Sequence, residues 1–336
     1  MTEDEETIRA ALAEMRLADP RGGYALTPLG GGVSCDVYLA DLPTRRVVVK
    51  RALPKLRVAA DWRAPPERAE AEVAWIRLVA GINPAWVPEV LGEDRARHVF
   101  AMAYLPPEQY PLWKTRLAKG QIDADFAASV GNALARIHAA TAGRNDIAAA
   151  FDNRAQFHAL RIESYLLYTA GKNPDVAPTI RTIADAVESA HIALMQGDVS
   201  PKNILCGPDG PVFLDAETAC YGDPAFDLAF CLNHLLLKGA WHPRCATALS
   251  EAFGALKDAY LGGAVWEDPA TLDHRAARLL AALLLARIDG KSPVEYLTDA
   301  GTKDFVRAQA KSFLTSPALT LDDVVARWTA ALKTRV

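Results

Sequence analysis

The chain has 336 residues, 51% of them hydrophobic and 23% charged, which supplies a large core and excludes disordered and collagen-like architectures. Thirty-seven Lys and Arg against 41 Asp and Glu leave a net charge of −4, unlike the basic footprint of a general nucleic-acid binder. No apolar run reaches the ~18 residues that cross a bilayer, and the start MTEDEETIRA is acidic and unlike a signal peptide, so a soluble cytoplasmic protein without a membrane partner is expected.

In chain order, the acidic residues 2–18 predict a helix that ends at the turn Pro20-Arg21-Gly22-Gly23. Three β-prone pieces follow at 24–29, 37–40 and 47–50, joined by the glycine run 30–32 and by Leu42-Pro43-Thr44-Arg45. Pro65-Pro66 opens a helical pattern to Gly81, with Val73, Ile76 and Val79 on an apolar face. Strand candidates at 87–91 and 98–104 end at Leu105-Pro106-Pro107, which divides the chain into lobes of 1–105 and 106–336. Beyond it the pattern is helical over 123–142, 154–170 and 177–189. A strand–loop–strand–turn–strand run then covers 192–215, and helices fill the rest from Ala225. The expected fold class is α+β, with a small β-rich lobe followed by a larger, mostly helical one. The five cysteines form no CxxC pair and the seven histidines no HExxH, so neither a disulfide framework nor a zinc site is expected.

The chemistry concentrates in Gln196-Gly197-Asp198-Val199-Ser200-Pro201-Lys202-Asn203, with Asp215 twelve residues later at the end of the next hairpin. An amide and a carboxylate suit Mg²⁺, which takes few protein ligands and completes its shell with water and phosphate. The remaining Asp is then free to orient a hydroxyl and take its proton. Phosphoryl transfer requires this division of labour.

The motifs GDVSPKNIL (197–205) and FLDAETACYGDPAFDLA (213–229) resemble those of the aminoglycoside phosphotransferase and choline kinase superfamily, relatives of the protein kinases. The resemblance runs from about Tyr24 to beyond Asp227 and implies a bilobal protein-kinase-like fold. It also implies that Asp198 is the catalytic base, that Asn203 and Asp215 bind Mg²⁺, and that Asp227 braces the catalytic loop. Two positions depart from the pattern. Gln196 stands where the family has His, and Asp215-Ala216-Glu217 replaces the Asp-Phe-Gly of protein kinases. The second is similar to the Asp-x-Glu of methylthioribose kinases and makes Glu217 a candidate metal ligand, with an exposed loop Glu as the alternative.

The same resemblance assigns ATP or GTP to the N-terminal lobe. Gly31, Gly32 and Ser34 lie in a glycine loop between strands, where backbone N–H groups approach phosphates. Lys50, at the end of an apolar strand, is similar to the lysine that pairs the α- and β-phosphates, with Arg51 as competitor. Glu72, rather than Glu70, is its expected partner. Ala103 and Leu105 would offer backbone groups to adenine, and His138 is expected in the core.

The family's C-terminal helices form the acceptor pocket, and ARIDGKSPVEYL brings Arg287, Asp289, Lys291, Glu295 and Tyr296 together. Arg287, Asp289 and Glu295 are the acceptor-side candidates, with Ser200, which stands where protein kinases place a catalytic-loop Lys. Charges at helix ends are also common on solvated surfaces. Gly290-Lys291-Ser292 imitates the tail of a phosphate-binding loop but lacks the earlier Gly and the preceding strand. The expected acceptor is a hydroxyl-bearing small molecule: an aminoglycoside or other antibiotic, a sugar, or an amino alcohol. From residue 230 onward 11 acidic residues face 13 basic ones, which disfavours a polycation. An inactive nucleotide-binding pseudokinase and a protein kinase are the alternatives; the latter is disfavoured because no HRD, DFG or APE element is present.

Overall fold

The computed structural model describes residues 2–30, 35–53 and 65–334. Helix α1 (Glu3–Glu14) starts on a capping box in which Thr2 Oγ1 accepts from Glu5 N and Glu5 Oε2 from Thr2 N. Strands β1 (Ala25–Pro28), β2 (Cys35–Asp41) and β3 (Arg46–Ala52) precede helix α2 (Arg68–Ile82), and β4 (Val90–Asp94) and β5 (Val99–Ala103) follow it. They form one antiparallel sheet in the order β1-β2-β3-β5-β4. Strand β4 starts three residues later than the expected 87–91, because Pro84–Trp86 forms a 3-10 turn and Pro88 has no N–H to give a ladder.

Alternation along β3 sorts its side chains between two cores. Val47 and Val49 pack with Ile8, Ala11 and Leu12 of α1. The other face, through Ala52 and Phe100, joins Val73, Trp75 and Ile76 of α2. Lys50 falls on this second face, which aims it at α2.

After β5 come helices α3 (Trp113–Ala118), α4 (Ala124–Thr141), α5 (Asn145–Ala150) and α6 (Arg154–Phe157). A π-helical segment, His158–Leu167, continues α6 into α7 (Tyr168–Lys172), and α8 (Ala177–Ser189) follows. Strands β6 (Ala193–Met195), β7 (Ile204–Gly207), β8 (Gly210–Phe213) and β9 (Cys220–Gly222) make two hairpin-like pairs, β6 with β9 and β7 with β8. The three-residue β9 was not expected from the sequence; its partner β6 holds it at Met195↔Cys220.

The last five helices are α9 (Ala225–Trp241), α10 (Ala246–Gly262), α11 (Pro269–Asp289), α12 (Ala300–Leu314) and α13 (Leu321–Lys333). Every residue of α9 from Ala225 to Ala240 is buried, so its polar members Asp227, Asn233, His234 and Lys238 lie inside the protein. Helices α4 and α10 approach so closely that a Cβ on Gly131 would stand 2.2 Å from Leu256 O. Among the described residues no helix is long and apolar enough to cross a membrane.

Candidate active site

Lys50 Nζ sits 2.7 Å from Glu72 Oε2 and 2.5 Å from Asp215 Oδ1, so one buried cation joins β3, α2 and the segment after β8. Burial alone would lower the lysine's pKa, but the Asp215 and Glu72 carboxylates outweigh it and hold the amine well above its ordinary value. Burial would likewise raise Asp215, yet Lys50 and Lys202 bring it down to about 2. Glu72 keeps the opposite sign: its burial outweighs Lys50 and lifts the carboxyl to about 7. Arg51, the competitor, points to Asp4 and Asp36 instead, as the alternation of the strand demands.

The loop between β6 and β7 is held from below by Asp227, fully buried on α9. Its Oδ2 accepts from Gln196 N at 2.7 Å and its Oδ1 from Gly197 N at 2.8 Å, while His138 Nε2 lies 3.3 Å from Oδ2. His138 is itself buried and reaches Tyr260 OH at 2.7 Å. Gly197 has φ +81°, and a Cβ there would meet Thr218 O at 2.7 Å, so this turn requires glycine. Gln196 ties the two motifs together. Its Nε2 donates to Leu214 O and Asp215 O, and its Oε1 accepts from Asp198 N at 2.6 Å. Asp215 itself holds φ +63°, a left-handed conformation that Asp tolerates better than most residues.

Asp198 Oδ2 is surrounded by donors: Asn203 Nδ2 and Lys202 Nζ at 3.0 Å and Arg161 Nη2 at 3.3 Å. Asp198 Oδ1 has no partner among the described residues. Arg161 comes from the π-helical segment and also donates from Nε to Gly197 O at 2.6 Å. A π turn rotates side chains relative to a regular helix and is frequent at functional sites. The sequence reading missed Arg161, although an arginine amid Leu160, Ile162, Tyr165 and Leu166 was the available signal.

A family model described as the APH phosphotransferase enzyme family matches residues 25–270. The chain belongs to the phosphotransferase enzyme family. It is 27% identical over 256 residues to methylthioribose kinase 1 of Oryza sativa subsp. japonica, covering 66% of this chain and 58% of that protein. Methylthioribose kinase 2 of the same organism is 24% identical over 249 residues with the same coverage, so the chain spans 58% of the length of both relatives. Among solved structures, a choline/ethanolamine kinase family protein from Mesorhizobium loti has a TM-score of 0.55 at 20% identity, covering 99% of this chain and 100% of that one. An amicoumacin kinase in complex with AMP-PNP, Ca²⁺ and Ami has a TM-score of 0.56 at 12% identity, covering 88% of this chain and 89% of that one. The shared architecture is the α+β, bilobal, protein-kinase-like fold.

Within this phosphotransferase fold the other candidates fall as follows. Gly31, Gly32 and Ser34 lie outside the described residues. Ala103 N–H donates to Glu89 O at 2.9 Å, because β5 continues its pairing to that point, which leaves the carbonyl as the backbone group Ala103 could offer. Leu105 makes no backbone hydrogen bond among the described residues and is the better placed of the two. Glu217 is not an exposed loop residue. It is buried, its Oε2 is 2.8 Å from Arg68 Nε, and Cys35 Sγ lies 3.5 Å from the same oxygen.

Ser200 is fully buried with its Oγ unpartnered. The cluster expected around Gly290 divides. Arg287, Glu295 and Tyr296 line one cavity with Lys202. Asp289 turns away to Arg307 at 2.9 Å and Asn173 at 3.3 Å, and Lys291 pairs with Glu163 at 2.7 Å. Asp289 ends helix α11, where the turn at Gly290 carries neighbouring side chains to different sides.

The oxygen donors of the site fit a hard cation. Asn203 Nδ2 is committed to Asp198 O and Oδ2, both at 3.0 Å, which leaves the amide oxygen as its ligating end. Asp215 supplies a carboxylate that stays ionised at neutral pH. Among the described residues no three His, Cys, Asp or Glu side chains cluster as a metal cage. One amide and one carboxylate suit Mg²⁺ bound together with phosphate.

Proposed function

We propose that this chain is a phosphotransferase that moves the terminal phosphoryl group of ATP or GTP to a hydroxyl of a small molecule with Mg²⁺, as the names of its kinase relatives suggest. The observation that carries the proposal is the meeting of Lys50, Glu72 and Asp215 beside a loop that presents Asp198. Lys50, held by Glu72, is the group that orients the nucleotide phosphates, with Leu105 at the adenine end and the loop of Gly31, Gly32 and Ser34 over the phosphates. Asn203 and Asp215 would hold Mg²⁺, which when bound neutralises phosphate charge. Glu217, already neutralised by Arg68, acts as a support for that arginine rather than as an inner ligand.

Asp198 is the base. Three donors on Oδ2 orient the carboxylate, and its free Oδ1 accepts the acceptor's hydroxyl proton while the acceptor's hydroxyl oxygen bonds to the terminal phosphorus. The bond to the nucleoside diphosphate breaks, and the diphosphate leaves with its electron pair. Gln196, the departure behind the inactive alternative, braces both Asp198 and Asp215 and so supports a working loop.

The test is ADP release by Asp198→Asn. Turnover falls by about 10²- to 10⁴-fold while nucleotide affinity stays within a few-fold. Undiminished turnover by this variant overturns the assignment.

A further inference from the structure

Beside the catalytic loop lies a small cavity with about 30 Å³ of free space, room for a head group rather than a whole sugar, walled by Pro201 and Lys202 of the loop and by His234 and Lys238 of α9. It shares Lys202 with the base, since Lys202 Nζ is 3.0 Å from Asp198 Oδ2. Four cations line it against a single carboxylate, Glu295. Two of the four are compensated: Lys202 by Asp198, and Lys114 by Glu295 at 2.5 Å.

The other two are not. Lys238 is 2% exposed, has no carboxylate within ion-pair distance among the described residues, and rests its Nζ over the rings of Tyr296 at 3.8 Å and Trp241 at 4.4 Å. Arg287 is 7% exposed and its Nη1 touches only neutral groups, Tyr165 OH and Ser292; its Nε has no partner. His234 Nε2 and Tyr296 OH on the same walls are also buried without partners. Buried cations left without a counter-charge are costly, and unpartnered donors beside them specify what would relieve the cost.

We propose that the acceptor carries, besides its reacting hydroxyl, an anionic group, a carboxylate or a phosphate ester, seated against Lys238 and Arg287; this rests on the phosphotransfer proposed at Asp198. Burial and the neighbouring Lys114 depress the Lys238 amine to about 8, and burial together with Arg287, Lys202 and Lys238 pushes His234 well below its ordinary value, as a net positive cavity requires. A quaternary ammonium finds no place here. The aromatic faces of Trp241 and Tyr296 already meet the chain's own Lys238, and the one acidic lining residue is held by Lys114.

The test separates binding from turnover. Calorimetry at pH 7 compares gluconate with glucose and ribose 5-phosphate with ribose, on wild type, Lys238→Met and Lys238→Arg. At least one anionic probe binds roughly tenfold or more tightly than its neutral partner, the gain of a charge-assisted contact. Lys238→Met removes that preference and Lys238→Arg keeps it, and the tighter of the two anions identifies the head group. Equal binding of both members of each pair, no binding of either anionic probe at millimolar concentration, or a preference unchanged in Lys238→Met overturns the proposal. Because this arm contains no nucleotide, its failure is distinct from a failure of phosphotransfer, which would show as no Asp198-dependent ADP release with any probe.

Discussion

Lys50 is a buried cation with two carboxylate partners, and each partner responds differently to its loss. Asp215 is part-exposed and can turn to water, whereas Glu72 is sealed in with α2. Lys50→Met therefore leaves Glu72 buried beside no cation, a defect worth about 3 kcal/mol. Urea unfolding shows that loss in Lys50→Met and recovers most of it in Lys50→Met/Glu72→Gln, while turnover recovers in neither. Equal stability of the single and double variants contradicts the pairing.

The pH dependence of Glu72 has a definite sign. Its folded pKa, raised to about 7, lies above the unfolded value of about 4.3, so its protonated form favours the fold below about pH 4.3 and this advantage is lost as pH rises toward 7. Asp215, depressed to about 2, stabilises above about pH 4 and withdraws only as pH falls toward 2. Between pH 4.5 and 7 wild type thus loses stability relative to Glu72→Gln, read as a growing gap between their urea midpoints. A gap independent of pH removes the buried acid from the account.

At the scale of elements, the loop that carries Asp198 is braced by α9 through the Asp227 side chain. Asp227→Asn places an amide N–H₂ against one of two backbone donors, Gln196 N or Gly197 N, and leaves one buried N–H unsatisfied. Stability falls by about 2 kcal/mol, and kcat falls more than the KM for ATP changes, because the loop and not the nucleotide site is displaced. A variant with wild-type kcat separates the loop from this brace.

Elements whose signals are local were legible in the sequence. The turn Gly207-Pro208-Asp209-Gly210 closes β7 on β8 as its residues demand, and the apolar run 47–49 marks the strand that carries Lys50. What was not legible depends on distant segments. Ala103 N–H is taken by Glu89, Asp289 by Arg307, and β9 exists because β6 pairs with it. Helix α9 is apolar almost all round, so its pattern reads as core and conceals that His234 and Lys238 face a cavity. Arg161 reaches Asp198 through a π turn that no regular periodicity forecasts.

For the molecule as a whole, the net charge of −4 hides a local inversion. The near-even count of acids and bases past residue 230 disfavoured a polycation, and the positive cavity beside Asp198 sharpens that into a preference for an anion. Two contacts, Lys50 with Asp215 and Arg68 with Glu217, join the N-terminal sheet and α2 to the segment after β8. Lys50, Asp215 and Asp198 therefore belong to one connected site, and the proposed transfer to an acceptor, as opposed to hydrolysis, depends on that connection. The most direct test is ³¹P NMR of the products formed from ATP and Mg²⁺ with a panel of anionic, neutral and cationic hydroxyl compounds. The account predicts ADP and a new phosphomonoester in equal amounts with one class of acceptor, both lost in Asp198→Asn; ADP accompanied only by inorganic phosphate whatever the acceptor, or a phosphomonoester still formed at the wild-type rate by Asp198→Asn, would contradict it.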